Sequence, residues 1–200
     1  MDEKWYVIQT RTGHEDQITE ICYDRLDKRG INKIFVPKIE LKKKYHGEWQ
    51  MIKKPMYPGY IFIAVDEKTE GEERKEDFLK LQTAQNGSNA TGQTSTDLLF
   101  MDLKKIPYLT KIVGTERIAV ALSEADVSRI RTFIGDGDVA GLSTGIIEGD
   151  KVQIFEGPLK GMEAQIKKID RHKRMAKVET ELLGEKRVIE VGLEIIMKNN

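Results

Sequence analysis

The chain opens on Trp5-Tyr6-Val7-Ile8-Gln9, a run of aromatic and β-branched residues that predicts a strand. Thr10 to Gly13 turns the chain. From His14 the apolar spacing lengthens to three and four through Ile18, Ile21, Cys22 and Leu26, which predicts a helix with Gly30 as its terminator. A second strand is expected over 33–37, extended by Ile39 and Leu41. The segment 42–49 reads as a hairpin with His46-Gly47 at its tip. Residues 56–65 are the most apolar stretch of the first half. Their second part predicts a central strand, and their first part sets Tyr57 and Tyr60 about a Pro58-Gly59 turn. Tyrosines at a turn, where polar residues are usual, suit either an interface or a sheet-edge cover, since each ring offers an apolar face and one polar tip.

Between 66 and 97 an acidic start gives way to a tract of Thr, Asn, Gln, Gly, Ser and Ala. Such a tract buries too little apolar surface to offset its conformational entropy. A short helix is expected over 98–103 and a strand over 118–122. Ser123 then caps a helix whose apolar side carries Val127, Ile130 and Ile134. The glycine-rich stretch 135–147 reads as a linker. Beyond it, 151–155, 164–169, 176–179 and 187–191 alternate polar and apolar, with a Gly157-Pro158 turn and a basic turn at 170–174 between them. Short strands joined by tight turns predict a small β-barrel. The expected architecture is α+β: an antiparallel sheet with helices over 1–134, the linker, and the barrel over 148–197.

Charge alters this picture locally. Lysine plus arginine and aspartate plus glutamate both number 33, so the net charge is zero and gives no bulk attraction to nucleic acid. Within the barrel, however, Lys160, Lys167, Lys168, Arg171, Lys173 and Arg174 crowd one region together with His172. Lys42, Lys43, Lys44, Lys53 and Lys54 line the hairpin. Lysine runs at these places suit backbone phosphates, although such a run is also an ordinary solvated face. Cys22 is the only cysteine, which removes intrachain disulfides and cysteine-based zinc sites. His14, His46 and His172 fall on three separate elements with no triad or metal-ligand spacing, so neither an enzyme nor a cofactor or metal site is expected. No run approaches the roughly 20 apolar residues of a membrane span. A cytoplasmic monomer with no membrane partner is expected.

In their order along the chain, Trp5-Tyr6-Val7, Val36-Pro37, the lysine hairpin, Tyr57-Pro58-Gly59-Tyr60-Ile61-Phe62, Ile112-Val113-Gly114, Leu122-Ser123-Glu124 and 148–191 with Gly157-Pro158 and Gly184 resemble the NusG/Spt5 family of transcription elongation factors. The resemblance spans nearly everything outside 66–97. It implies an N-terminal NGN domain that binds the RNA polymerase clamp helices through Trp5, Tyr6, Tyr57, Pro58, Gly59 and Tyr60. It also implies hairpin lysines near upstream or non-template DNA, a C-terminal KOW domain, and suppression of pausing and termination without catalysis. Where housekeeping members carry the aromatics that meet ribosomal protein S10 or the termination factor Rho, this chain has Leu159, Met162, Leu182 and Leu183. That departure and the strong basic turn resemble the specialised LoaP-type processive antiterminators, and imply a nascent RNA hairpin as the KOW ligand through Lys160 and the cluster 167–174. A general elongation factor coupled to S10 or Rho, and a KOW-containing ribosome-associated RNA-binding protein, are the alternatives.

Overall fold

The computed structural model describes residues 3–26, 30–66, 101–113, 120–135, 137–149 and 151–196. The low-complexity tract from 67 on, residues 98–100 of the expected helix and residues 118–119 of the expected strand lie outside them. The described chain forms two compact units, one from residues 1–36 and 58–122, the other from 37–57 and 123–200.

The first unit is a four-stranded sheet of β1 (Glu3–Thr10), β2 (Ile31–Phe35), β5 (Tyr60–Asp66) and β6 (Leu109–Ile112), in the order β2-β5-β1-β6. β5 runs antiparallel to both β1 and β2, and β1 antiparallel to β6. Side chains alternate across a strand, so β1 sends Tyr6 and Ile8 to one face and Trp5 and Val7 to the other. The first face meets Ile18 and Cys22 of helix α1 (Glu15–Arg25), with Ile34, Ile61, Ile63, Leu103 and Ile106 completing the core. Burial there pushes the Cys22 thiol up to about 11. On the second face Trp5 meets Phe35 and Phe62 edge-on, at 5.0 and 6.4 Å between ring centroids. This ring cluster is wholly buried. Of the strand expected over 118–122, residues 120–122 join no ladder, although the Leu122 amide donates to the Trp5 carbonyl at 2.7 Å.

The second unit carries the hairpin of β3 (Lys38–Tyr45) and β4 (Glu48–Pro55), paired in unbroken register from Lys38 opposite Pro55 to Tyr45 opposite Glu48. His46 and Gly47 both take positive φ, 48° and 92°, as a two-residue hairpin turn requires. Helix α2 (Glu124–Ile134) starts at Ser123, whose hydroxyl accepts from the Asp126 amide at 3.1 Å, and it stops at Gly135 with φ of 59°. Residues 135–147, read as a linker, contain β7 (Val139–Ala140), parallel to β3, and most of β8 (Ser143–Glu148). β8 joins β9 (Lys151–Glu156), β10 (Ile166–Asp170), β11 (Met175–Leu182) and β12 (Glu185–Ile195) in a five-stranded sheet of order β10-β11-β12-β8-β9. Among the described residues these two sheets and the three-stranded sheet β4-β3-β7, with few helices, make the expected α+β architecture.

Three glycines, Gly145, Gly157 and Gly192, permit close approach of backbones in this unit. A Cβ on Gly145 of β8 would collide with the Gln153 carbonyl of β9 and stand 2.9 Å from the Ile154 Cδ1. One on Gly192 of β12 would collide with the Glu40 carbonyl of β3 and lie 2.7 Å from the Leu142 Cδ1. The barrel's last strand therefore lies against the hairpin at a distance only glycine allows. Gly145→Ala should cost about 1–3 kcal/mol of stability through overpacking. Gly141→Ala, with nothing within 4 Å of the added carbon, should cost far less. Urea denaturation of the two variants side by side checks this.

Candidate nucleic-acid and partner surfaces

In the first unit the Pro58-Gly59 turn is held from beneath by Glu15. Its buried carboxylate accepts from the Gly59 amide at 2.6 Å and from the Gly13 amide at 2.8 Å. Two backbone donors are thus satisfied by one side chain, its two oxygens each taking one. Gly59 has φ of 83°, and a Cβ there would sit 3.1 Å from the Thr10 carbonyl. Above this support Pro58 is exposed and Tyr60 half-buried, its hydroxyl accepting from Gln9 Nε2 at 2.9 Å. Trp5 and Tyr6 are core residues on opposite faces of β1 and present no surface. Tyr57 falls in the second unit and is buried as well. Burial pushes its phenol up.

The predicted cations separate by environment. Lys43, Lys44, Lys53 and Lys54 are exposed on the hairpin, whereas Lys42 is half-buried and ion-paired with Glu194 of β12. In the barrel Lys160, Lys168, Arg171, His172 and Lys173 are exposed. Lys167 lies 3.4 Å from Glu179. Burial would raise that carboxyl, but Lys167 and Lys186 together hold it low. Arg174, with φ of 51°, turns inward. Its guanidinium donates to Glu194 at 2.7 Å and lies 4.1 Å over the Trp49 ring of β4. The basic turn and the lysine hairpin, two separate clusters in the sequence, thus meet in one unit. Between them opens a cleft of about 360 Å³, walled by Lys43, Lys54, His172 and Lys173 and floored by Leu41, Ile52 and Met175, with Trp49 at its side.

The apolar quartet does not stay together. Leu159 and Leu182 are wholly buried in the barrel, and Leu159 is fixed there by its amide donating to the buried Ser143 hydroxyl at 3.1 Å. Only Met162 and Leu183 remain partly accessible. Chain position alone suggests a patch, but the Gly157 turn, at φ of 93°, folds Leu159 inward. Glu194, Glu190 and Met175 belong to this region without having been expected from the sequence. No local signal marks Glu194, since its partner Lys42 stands 152 positions away. Trp49, an aromatic beside a lysine run, was the one available clue. Among the described residues no group of His, Cys, Asp and Glu is placed to hold a metal, and no helix is long and apolar enough to cross a membrane.

The described residues thus comprise a mixed sheet-and-helix unit and a unit built on a five-stranded sheet with exposed cations about one cleft. The family model described as transcription termination factor NusG matches residues 3–131, and the KOW motif matches 148–179. With more than half of the chain matched, the chain belongs to the NusG family of transcription termination/antitermination factors. The NusG of Helicobacter pylori is 26% identical over 133 residues, which cover 63% of this chain and 58% of that protein. The chain therefore spans little more than half the length of that curated relative. The NusG of Bacillus subtilis is 30% identical over 69 residues, 32% of this chain and 39% of that one. The solved structure "Domain interaction in Thermotoga maritima NusG" aligns over 96% of this chain and 94% of its own, at a TM-score of 0.53 and 18% identity, a likeness of fold.

Leu159→Ala should lose about 2–5 kcal/mol of stability, as a deleted core side chain does. Leu183→Ala should stay within about 0.5 kcal/mol, as surface changes do. Equal and small losses in chemical denaturation would return Leu159 to the surface.

Proposed function

We propose that this chain is a polymerase-bound antiterminator whose barrel contacts nascent RNA. The observation that carries the reading is the outward set Lys168, Arg171, His172 and Lys173 on the barrel of a chain whose net charge is zero. A local cationic surface on a neutral chain recruits phosphate at one place instead of everywhere. Pro58 and Tyr60, accessible on a turn braced by Glu15, support contact with the RNA polymerase clamp helices. A braced turn presents its side chains with little ordering left to lose on binding. Lys53 and Lys54 support phosphate contact with upstream or non-template DNA, which positions without selecting sequence.

A second reading, a general elongation factor that engages ribosomal protein S10 or Rho through the barrel, draws on the exposure of Phe155 and Val188. It requires shift changes around those two residues when the partner is titrated onto the chain.

In vitro transcription through an intrinsic terminator, with and without a candidate leader RNA, tests the first reading. Leader-dependent readthrough is expected. Combined substitution of Lys167, Lys168 and Arg171 by Ala should abolish it and flatten the salt dependence of RNA binding, by roughly 0.7–0.9 in log–log slope for each phosphate no longer neutralised. Readthrough indifferent to the leader would contradict the reading.

A further inference from the structure

The hairpin lysines and the barrel's basic turn, expected to serve different strands of nucleic acid, line one cleft. Among its lining residues five lysines face one carboxylate, Glu190, while Leu41, Ile52 and Met175 give it an apolar floor. A surface built only to track a duplex backbone needs the cations but not the floor. A paired base enters a hollow only by being flipped out of the stack, with a loss of pairing and stacking that an already unpaired base is spared. A cleft that joins positive rims to an apolar bottom and an aromatic wall suits a nucleotide whose base is already unpaired. Its 360 Å³ is at the small end of sites that enclose a compact ligand, about 300–1,000 Å³.

Two further features support this. Trp49 is 38% exposed, and its ring is packed against the Arg174 guanidinium at 4.1 Å, which is itself tied to Glu194. A ring so backed loses little freedom when a base stacks on it. In addition, a smaller hollow of about 120 Å³ shares Lys173, Met175 and Glu190 with the cleft and adds Lys168, Lys177 and Asp170, the last 4.0 Å from the Lys173 ammonium. The two hollows adjoin at these shared residues, and seven lysines line them against the two carboxylates of Glu190 and Asp170, a spacing of charge a flexible strand can follow.

We infer that the cleft between the β3–β4 hairpin and the 170–174 turn binds an unpaired nucleotide of a single-stranded nucleic acid. Its base lies in the cleft beside Trp49, and its flanking phosphates rest on Lys54 and Lys173, the strand continuing toward Lys168 and Lys177. The inference rests on the nucleic-acid reading above, and it narrows the ligand from any phosphate backbone to a single strand bound by hairpin and barrel together.

Fluorescence anisotropy with the full chain tests it, using labelled oligouridylate and oligothymidylate of about ten nucleotides, within the usual span of single-strand sites. A blunt RNA duplex of the same length serves as comparison. One or both single strands should bind at least tenfold tighter than the duplex, and the ratio between the two assigns the site to transcript or to displaced DNA. Trp49→Ala should weaken the favoured strand about tenfold, with most of the loss restored by Trp49→Phe. Because Trp49→Ala also removes a packing partner of Arg174, the pair Lys54→Glu and Lys173→Glu, both on exposed side chains, gives an independent readout. That pair should weaken binding at least tenfold with an unchanged unfolding midpoint. The inference fails if the duplex binds as tightly as the single strands, or if the glutamate pair leaves affinity intact while the Lys167, Lys168 and Arg171 alanine variant loses it. The second result would keep the proposed function and move the contact to the outer side of the turn. Cleft binding without leader-dependent readthrough would instead keep the site and overturn the function.

Discussion

The approach of β12 to β3 is the constraint on which the second unit depends. Gly192 has no side chain, so the β12 backbone can lie against the Glu40 carbonyl where any Cβ would collide. Once the strands are that close, Glu194, two residues on, reaches Lys42 of the hairpin and Arg174 of the barrel together. Arg174 in turn reaches the Trp49 ring. Ion pairs between groups about a quarter exposed contribute roughly 0–1 kcal/mol each, and a partly exposed cation–π contact about the same. These polar links are therefore too weak to hold the hairpin by themselves. Burial of Ile39, Leu41, Val191 and Leu193 supplies most of the stability, and the charges fix how the hairpin is turned. With the hairpin so turned, its lysines and the His172 and Lys173 side chains of the 170–174 turn border the same cleft.

The first unit follows a different rule. Its sheet is buried on both faces, with α1 covering one and the Trp5, Phe35 and Phe62 rings filling the other. At its surface stands the Pro58 turn, with Tyr60 beside it, set on the Glu15 carboxylate. The buried acid at the start of α1 thus belongs to the turn as much as to the helix. It fixes the one accessible part of the Tyr57-Pro58-Gly59-Tyr60 motif.

Much of this was legible in the sequence wherever local chemistry decides local structure. Ser123 before an apolar three-and-four repeat announced α2. His46-Gly47 between two cationic strands announced the hairpin, and alternation from 151 onward announced the barrel. What escaped depended on the opposite face of an element. Trp5 and Tyr6 read as interface aromatics because a strand buried on both sides carries the same residues as one that offers an aromatic edge. Leu159 read as a surface position because the inward fold of the Gly157 turn depends on Ser143, and that contact is not local. β7 is two residues long and exists only because β3 is there to pair with. The meeting of the two basic clusters was the least legible feature, since it rests on a glycine near one end of the unit and a hairpin near the other.

If hairpin and basic turn act as one site, a single strand must engage both at once. An amide-correlation NMR titration of the isotope-labelled full chain with a single-stranded oligonucleotide tests this most directly. The Trp49 indole, the hairpin amides of Lys43 and Lys54, and the turn amides of His172 and Lys173 are expected to shift together along one saturation curve. Shifts confined to the turn, or a hairpin and a turn that saturate at separate concentrations, would contradict it.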